Sequence, residues 1–141
     1  MRCEEIMKKD VECVLPADTV QAAAQRMRKE NVGFLPVCDE SGKVLGAVTD
    51  RDLAIRVLAD ACPVTTRVVE VMTREVVRCR PEDELSDAEE LMARKHKSRI
   101  MCIDEEERLV GVISLSDIAQ EDDEAKVSRT LREVTEREVR T

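Results

Sequence analysis

The chain repeats itself. Gly46-Ala-Val-Thr49-Asp-Arg-Asp52 returns as Gly111-Val-Ile-Ser114-Leu-Ser-Asp117, 65 positions later. In each copy a short apolar run reaches a hydroxyl residue, and a carboxylate follows three positions on. The same offset aligns the rest without a gap. Pro16 falls on Pro81 and Asp18 on Asp83. Val20, Ala23 and Met27 fall on Leu85, Ala88 and Met92, and Asp39-Glu40 on Asp104-Glu105. A repeat of this period limits the possible folds. One unit of about 55 residues is too small to bury a good core alone, whereas two copies packed together share one.

Within each copy the local signals predict strand, helix, strand, strand, helix. Residues 3–9 read as a short helical lead-in with Ile6 and Met7 on its apolar side. Residues 11–15 read as extended and stop at Pro16, because a proline biases its predecessor away from helix. Asp18 is the expected N-cap, with Gln21 completing a capping box. Val20, Ala23, Ala24 and Met27 then form one apolar stripe, and Asn31 and Gly33 end the helix. Residues 33–38 are a strand that Pro36 confines to a short or edge position. Asp39 to Gly42 has turn chemistry. Residues 44–48 are a second strand, and residues 49–61 a helix with Leu53, Ile55, Val57 and Leu58 as its apolar set.

The chain therefore divides into a first unit (1–62), a linker (63–66), a second unit (67–121) and a charged tail (122–141). Val127, Leu131, Val134 and Val139 in the tail lie near helical spacing. Such a thin stripe fits docking on its own body or on a twin subunit, and it equally fits a solvated helix.

Composition narrows the function. A net charge of −8 opposes binding to nucleic acid or to an anionic membrane surface. Aromatics are 1% of the chain, Phe34 alone, so no platform exists for stacking unpaired bases. No apolar run approaches the length of a membrane span, and the N-terminus has no signal-peptide core, which points to the cytoplasm. The six cysteines (Cys3, Cys13, Cys38, Cys62, Cys79, Cys102) form no C-x-x-C pair, and with His96 they lack zinc-ligand spacing. They read as buried thiols; a cysteine-based metal or redox sensor is the competing reading. Asp122-Asp123-Glu124 reads as a solvated helix edge rather than a metal site. With one histidine the chain offers no nucleophile–base pair, so no enzyme is expected.

Two such units resemble the cystathionine-beta-synthase (CBS) domain pair. The residues that carry the resemblance are Pro16, Leu35-Pro36-Val37, Asp39, Gly46, Thr49 and Asp52, then Pro81, Asp104, Gly111, Ser114 and Asp117. The resemblance covers residues 5–61 and 67–121. It implies an α+β fold of two β-α-β-β-α units packed as a pseudo-twofold pair, here with a C-terminal helical tail. It implies a cleft for an adenosine-containing regulatory ligand: AMP, ADP, ATP, S-adenosylmethionine or NAD. It also implies a homodimer and an effector protein that reads the ligand, with no obligatory cofactor.

By the same resemblance Asp52 and Asp117 would hold the ribose. Thr49, Arg51, Ser114, Ser116 and Arg99 would lie on the phosphate side. Val11, Cys13, Val14, Phe34, Leu35, Pro36, Val76, Ile100 and Met101 would enclose the adenine. Met101 stands where the family commonly has proline, which makes the first unit the better match.

The chemistry leaves two readings open. A carboxylate can accept hydrogen bonds from two vicinal ribose hydroxyls, while a hydroxyl, the N–H groups of a helix start and Arg51 favour an anion. Thr-x-x-Asp and Ser-x-x-Asp before a helix are also capping boxes, in which hydroxyl and carboxylate satisfy each other's backbone N–H groups. At the level of function, a ligand sensor competes with a structural interaction module whose clefts stay empty.

Overall fold

Pro16 and Pro81 set the geometry at equivalent points. After each proline the chain turns, and an aspartate closes the turn: Asp18 Oδ2 accepts from Leu15 N–H at 2.8 Å, and Asp83 Oδ2 from Arg80 N–H at 2.9 Å. Asp18 is therefore not the helix cap expected from the sequence. Thr19 is, its hydroxyl accepting from Ala22 N–H at 3.1 Å. The carboxylate is consumed by the turn, and the cap passes one residue on. The computed structural model describes the backbone of residues 1–121 and 124–140, with side chains through residue 120 and from 128 to 136. Asp122 and Asp123, and the side chains of Val127 and Val139, lie outside these.

The chain forms two compact bodies. The first unit comprises residues 12–76; the second comprises residues 1–11 and residues from 77 onward. In the first unit, α1 (Val20–Glu30) leads to the antiparallel pair β1 (Phe34–Cys38) and β2 (Val44–Thr49), then to α2 (Asp50–Leu53), which continues as a π-helical turn at Ala54–Leu58. In the second unit, β3 (Arg78–Cys79) pairs in parallel with β4 (Arg99–Ile103), and β4 pairs antiparallel with β5 (Leu109–Ser114). α3 (Leu85–Lys95) separates β3 from β4, and α4 (Leu115–Glu121) and α5 (Glu124–Arg140) follow β5.

These bodies and the sequence repeats are different divisions of the chain, because the lead-ins change places. Val68 N–H donates to Asp18 O and Val69 N–H to Pro16 O in the first unit. Cys3 N–H donates to Asp83 O and Glu4 N–H to Pro81 O in the second. The bonds are the same two, displaced by the repeat. Each lead-in is a single 3₁₀ turn (Cys3–Glu5, Val68–Glu70) rather than the helix read over residues 3–9. The chain then extends, and Lys8 and Thr73 bridge to Val112 and Ala47.

This crossing explains the motif glycines. A β-carbon on Gly46 would run into the backbone carbonyl of Thr73, and one on Gly111 would stand 2.6 Å from Met7 Sδ.

The expected strand at residues 11–15 reduces to one parallel pairing, Val14 with Val37. Pro36 is the reason. It accepts from Val14 N–H at 2.9 Å but has no N–H to return to the neighbouring strand. Met101, its counterpart, does donate, to Val77 O at 3.1 Å, and β3 forms beside it.

Both cores are aliphatic. Val14, Ala23, Met27, Leu35, Val37, Val48, Val68 and Met72 fill the first; a smaller cluster of Val20, Val57 and Val71 packs beside α2. Ile100, Cys102, Ile113, Ile118, Leu85, Ala88 and Met92 join Cys3 and Cys79 in the second. The stripe on α1 is narrower than the sequence reading, with Ala24 exposed. Of the apolar set expected after Thr49, Leu53 and Val57, four apart, face inward, whereas Ile55 and Leu58 are 52% and 78% exposed. α1 and α3 end on left-handed residues at matched positions, Asn31 (φ 55°) and His96 (φ 54°).

The tail docks on its own unit. α5 buries Thr130 and Val134, and its Glu133 carbonyl lies 2.7 Å from His96 Nδ1. Leu131, expected on the same stripe, is 48% exposed. Among the described residues no helix is long and apolar enough to cross a membrane.

Candidate functional site

The two Gly-x-x-Thr/Ser-x-x-Asp motifs sit where a strand runs directly into a helix. In the first, Thr49 Oγ1 accepts from Asp52 N–H at 3.0 Å, and Asp52 Oδ2 accepts from Thr49 N–H at 3.0 Å. In the second, Ser114 Oγ accepts from Asp117 N–H at 3.2 Å, and Asp117 Oδ2 from Ser114 N–H at 2.9 Å. Both are complete capping boxes.

What surrounds the two carboxylates differs. Asp52 is buried, and its oxygens accept the Thr73 hydroxyl at 3.2 and 3.3 Å. Arg56, one turn along, brings Nε to 4.0 Å while its Nη1 donates to the carbonyls of Val71 and Met72. Asp117 is more open. Among the described residues it pairs with Lys8, whose exposed Nζ stands 3.7 Å from Oδ1.

Lys8 occupies the position of Thr73 in the repeat, and Glu121 that of Arg56. Sequence reasoning missed Arg56, Thr73 and Lys8. The signals were present: Arg56 is four residues after Asp52, and Lys8 and Thr73 are aligned by the 65-residue offset.

The second motif opens on two sides. A groove of about 370 Å³ gathers three of the expected residues, Arg99, Ser114 and Ser116, with Ser98, Ala119 and Leu131 of α5. Within it the Ser114 and Ser116 hydroxyls are 2.8 Å apart. Asp117 faces a separate recess of about 240 Å³ with Met1, Glu5, Ile6 and Gln120. The residues expected around one ligand are thus divided between two separate recesses. In the first motif Arg51 is exposed beside Asp52.

The residues expected around adenine divide by strand face. Val14, Leu35 and Ile100 point into the cores. Pro36 and Met101 are also fully buried but lie on the opposite strand face. Cys13, Phe34 and Val76 in the first unit and Val11 in the second are partly exposed.

The acidic turn after β1 works as its sequence implies. Asp39 Oδ1 accepts from the Ser41 hydroxyl and from Ser41 and Lys43 N–H. The Ser41 hydroxyl first, then the Lys43 N–H, hold the Asp39 carboxyl below its usual value. Asp104 repeats the turn with Glu106 and Arg108 N–H. Among the described residues no group of three or more His, Cys, Asp or Glu is placed to hold a metal ion.

The CBS domain family model matches residues 3–59 and 68–124, and the chain belongs to that family. The CBS domain-containing protein YhcV of Bacillus subtilis is 40% identical over 116 residues, spanning 82% of this chain and 81% of YhcV. Among solved structures, Hypoxic Response Protein I with two coordinated zinc ions is similar at a TM-score of 0.78 and 31% identity, over 87% of this chain and 100% of that one. The CBS domain pair of protein MJ0100, in complex with 5′-methylthioadenosine and S-adenosyl-L-methionine, is similar at a TM-score of 0.76 and 26% identity, over 85% of this chain and 94% of that one.

Proposed function

We propose that this protein is a cytoplasmic regulatory module that binds an adenosine-containing ligand at its Gly-x-x-Thr/Ser-x-x-Asp motifs and passes the change to a partner protein. The observation that carries the reading is the Thr73 hydroxyl on Asp52. The motif carboxylate, while capping its helix, still accepts an alcohol at hydrogen-bonding distance on both oxygens. A ribose hydroxyl makes the same demand. In the second motif no such internal alcohol is present among the described partners of Asp117, and that carboxylate borders an open recess beside a lysine. The second motif is therefore the one a ribose enters first, with Asp117 as acceptor and Lys8 as the neighbouring cation. The adenosyl ligands bound by MJ0100 support the ligand class.

Thermal unfolding with AMP, ADP, ATP, S-adenosylmethionine and NAD tests this. A ligand at 100 times its Kd stabilises the native state by about 2.7 kcal/mol. The Asp117→Ala variant loses that gain and Asp52→Ala keeps most of it. No shift with any of the five at millimolar concentration ends the sensor reading.

A second reading, an interaction module, is favoured by Ile55 and Leu58, which expose apolar side chains on one short helical segment. It predicts a homodimer through this face. Sedimentation of Leu58→Glu as a monomer, against a wild-type dimer, supports it; equal masses reject it.

A further inference from the structure

We infer that Cys13 and Cys38 form a reversible dithiol–disulfide site on the first unit, oxidised by hydroperoxides. The single parallel pairing of Val14 with Val37 places these two cysteines on the strand face opposite the core, diagonally across the pair. Their sulfurs are 2.9 Å apart, so a bond of about 2.0 Å needs a movement of about 1 Å. The backbone bonds that hold the segments together, Val14 N–H to Pro36 O and Cys38 N–H to Val14 O, fix the approach.

The two thiols are unequal in a useful way. Cys38 is buried, while Cys13 is partly exposed. The Cys38 S–H donates to Cys13, and this hydrogen bond, against the opposing effect of burial, lowers the Cys13 pKa and favours its thiolate. Cys13 is thus the sulfur that solvent reaches and the better nucleophile, and Cys38 is held behind it as the resolving thiol.

The other close cysteines lack a solvent-facing partner. Hydrogen bonds from Cys102 and then Cys79 lower the Cys3 thiol to about 4, yet Cys3 is fully buried. Cys79 and Cys102, 3.4 Å apart, sit with Cys3 in the core of the second unit. Hydrogen bonds to Cys102 and Cys3 and then burial push Cys79 upward, and the Cys3 hydrogen bond, with burial and against the opposing Cys79 bond, pushes Cys102 upward, both toward the unreactive thiol form. Cys62 is partly exposed but has no thiol beside it among the described contacts.

The chemistry balances with the peroxide as two-electron oxidant. The Cys13 thiolate attacks one peroxide oxygen, the O–O bond breaks, and the departing alkoxide or hydroxide is protonated; Cys13 becomes the sulfenic acid. The Cys38 sulfur then attacks the Cys13 sulfur. The S–O bond breaks, and hydroxide leaves as water with the Cys38 proton. A dithiol reductant reverses the step by exchange.

The test uses the full chain, fully reduced and then treated with a small excess of hydrogen peroxide. The thiol titre falls from six to four and returns to six with dithiothreitol. After blocking with N-ethylmaleimide, trypsin releases one cross-linked species joining residues 10–26 to residues 30–43. In Cys38→Ser the cross-link is absent and dimedone labels Cys13; in Cys13→Ser neither product forms. The inference is overturned if six thiols persist, if the link joins Cys79 to Cys102, or if the product is a dimer bridged through Cys62. Circular dichroism of both serine variants matching the wild type shows that the loss is chemical. The readout needs no ligand, so it stands or falls separately from the sensor reading.

Discussion

The two repeats carry the same backbone and load it differently. Around Asp52 the first repeat closes in: a hydroxyl from Thr73, a guanidinium from Arg56, and the Thr73 backbone seated on Gly46. Around Asp117 the second repeat stays open, with an exposed lysine, a serine pair and two recesses. Duplication thus conserves what a strand-to-helix junction needs and frees the surroundings. A carboxylate that caps a helix is structural in both copies, and the neighbours decide whether it has capacity left for a ligand.

The contrast at the glycines is the most severe. Gly46→Ala forces a β-carbon against a backbone carbonyl, which cannot swing aside, and costs about 3 kcal/mol. Gly111→Ala meets the Met7 side chain, whose Sδ and Cγ can turn away although its Cβ at 3.0 Å cannot, and costs less, about 1–2 kcal/mol. Urea unfolding of both variants checks this; equal midpoints break the comparison.

At the carboxylates the expected difference is smaller. Asp52→Ala leaves Thr49 N–H and the Thr73 hydroxyl without their acceptor in a buried setting and costs about 2 kcal/mol. Asp117→Ala removes a cap and an exposed ion pair and costs about 1 kcal/mol. A larger loss at Asp117 than at Asp52 reverses the assignment of the closed and the open site.

Position 36/101 carries the next contrast. Met101→Pro removes the N–H that Val77 O accepts, about 1 kcal/mol for the bond itself, and dissolves β3 into a single pairing like that at Val14. Faster amide exchange of Cys79 and Cys102 in the variant is the observable, and unchanged exchange refutes it.

The acidic turns give the mildest difference. Ser41 occupies the place of Glu106 in the second repeat. Because the Asp39 pKa is lowered in the folded protein, its contribution to stability is present above the unfolded value of 3.8 and is lost as pH falls through the folded value. Ser41→Ala raises the Asp39 pKa toward 3.8, read by carboxyl NMR titration. An unchanged titration removes the hydroxyl as the main cause.

Much of the architecture was legible in the residues. Pro16, Asn31, Asp39 and the apolar runs at 34–38 and 44–48 act over a few positions, and the structure places a turn, a helix end, a second turn and two strands there. The misreadings share a cause. Asp18 looked like a cap because the turn that claims it depends on how the chain bends after Pro16. Ile55 and Leu58 looked like core because apolar character says nothing about which way a short helix faces. The core positions of Val14, Leu35 and Ile100 follow from sheet pairing, which sets the face each residue takes.

By itself, then, the sequence determined the repeat, visible as matching residues 65 positions apart, and the order of its elements and the two capping boxes, which rest on groups within about four residues of one another. Only the tertiary structure decided that each lead-in packs on the body of the other repeat. That crossing brings Thr73 to Asp52 across 21 positions, and Lys8 to Asp117 from the far end of the chain. Such contacts depend on how compact bodies close around buried apolar surface, and no local preference encodes them.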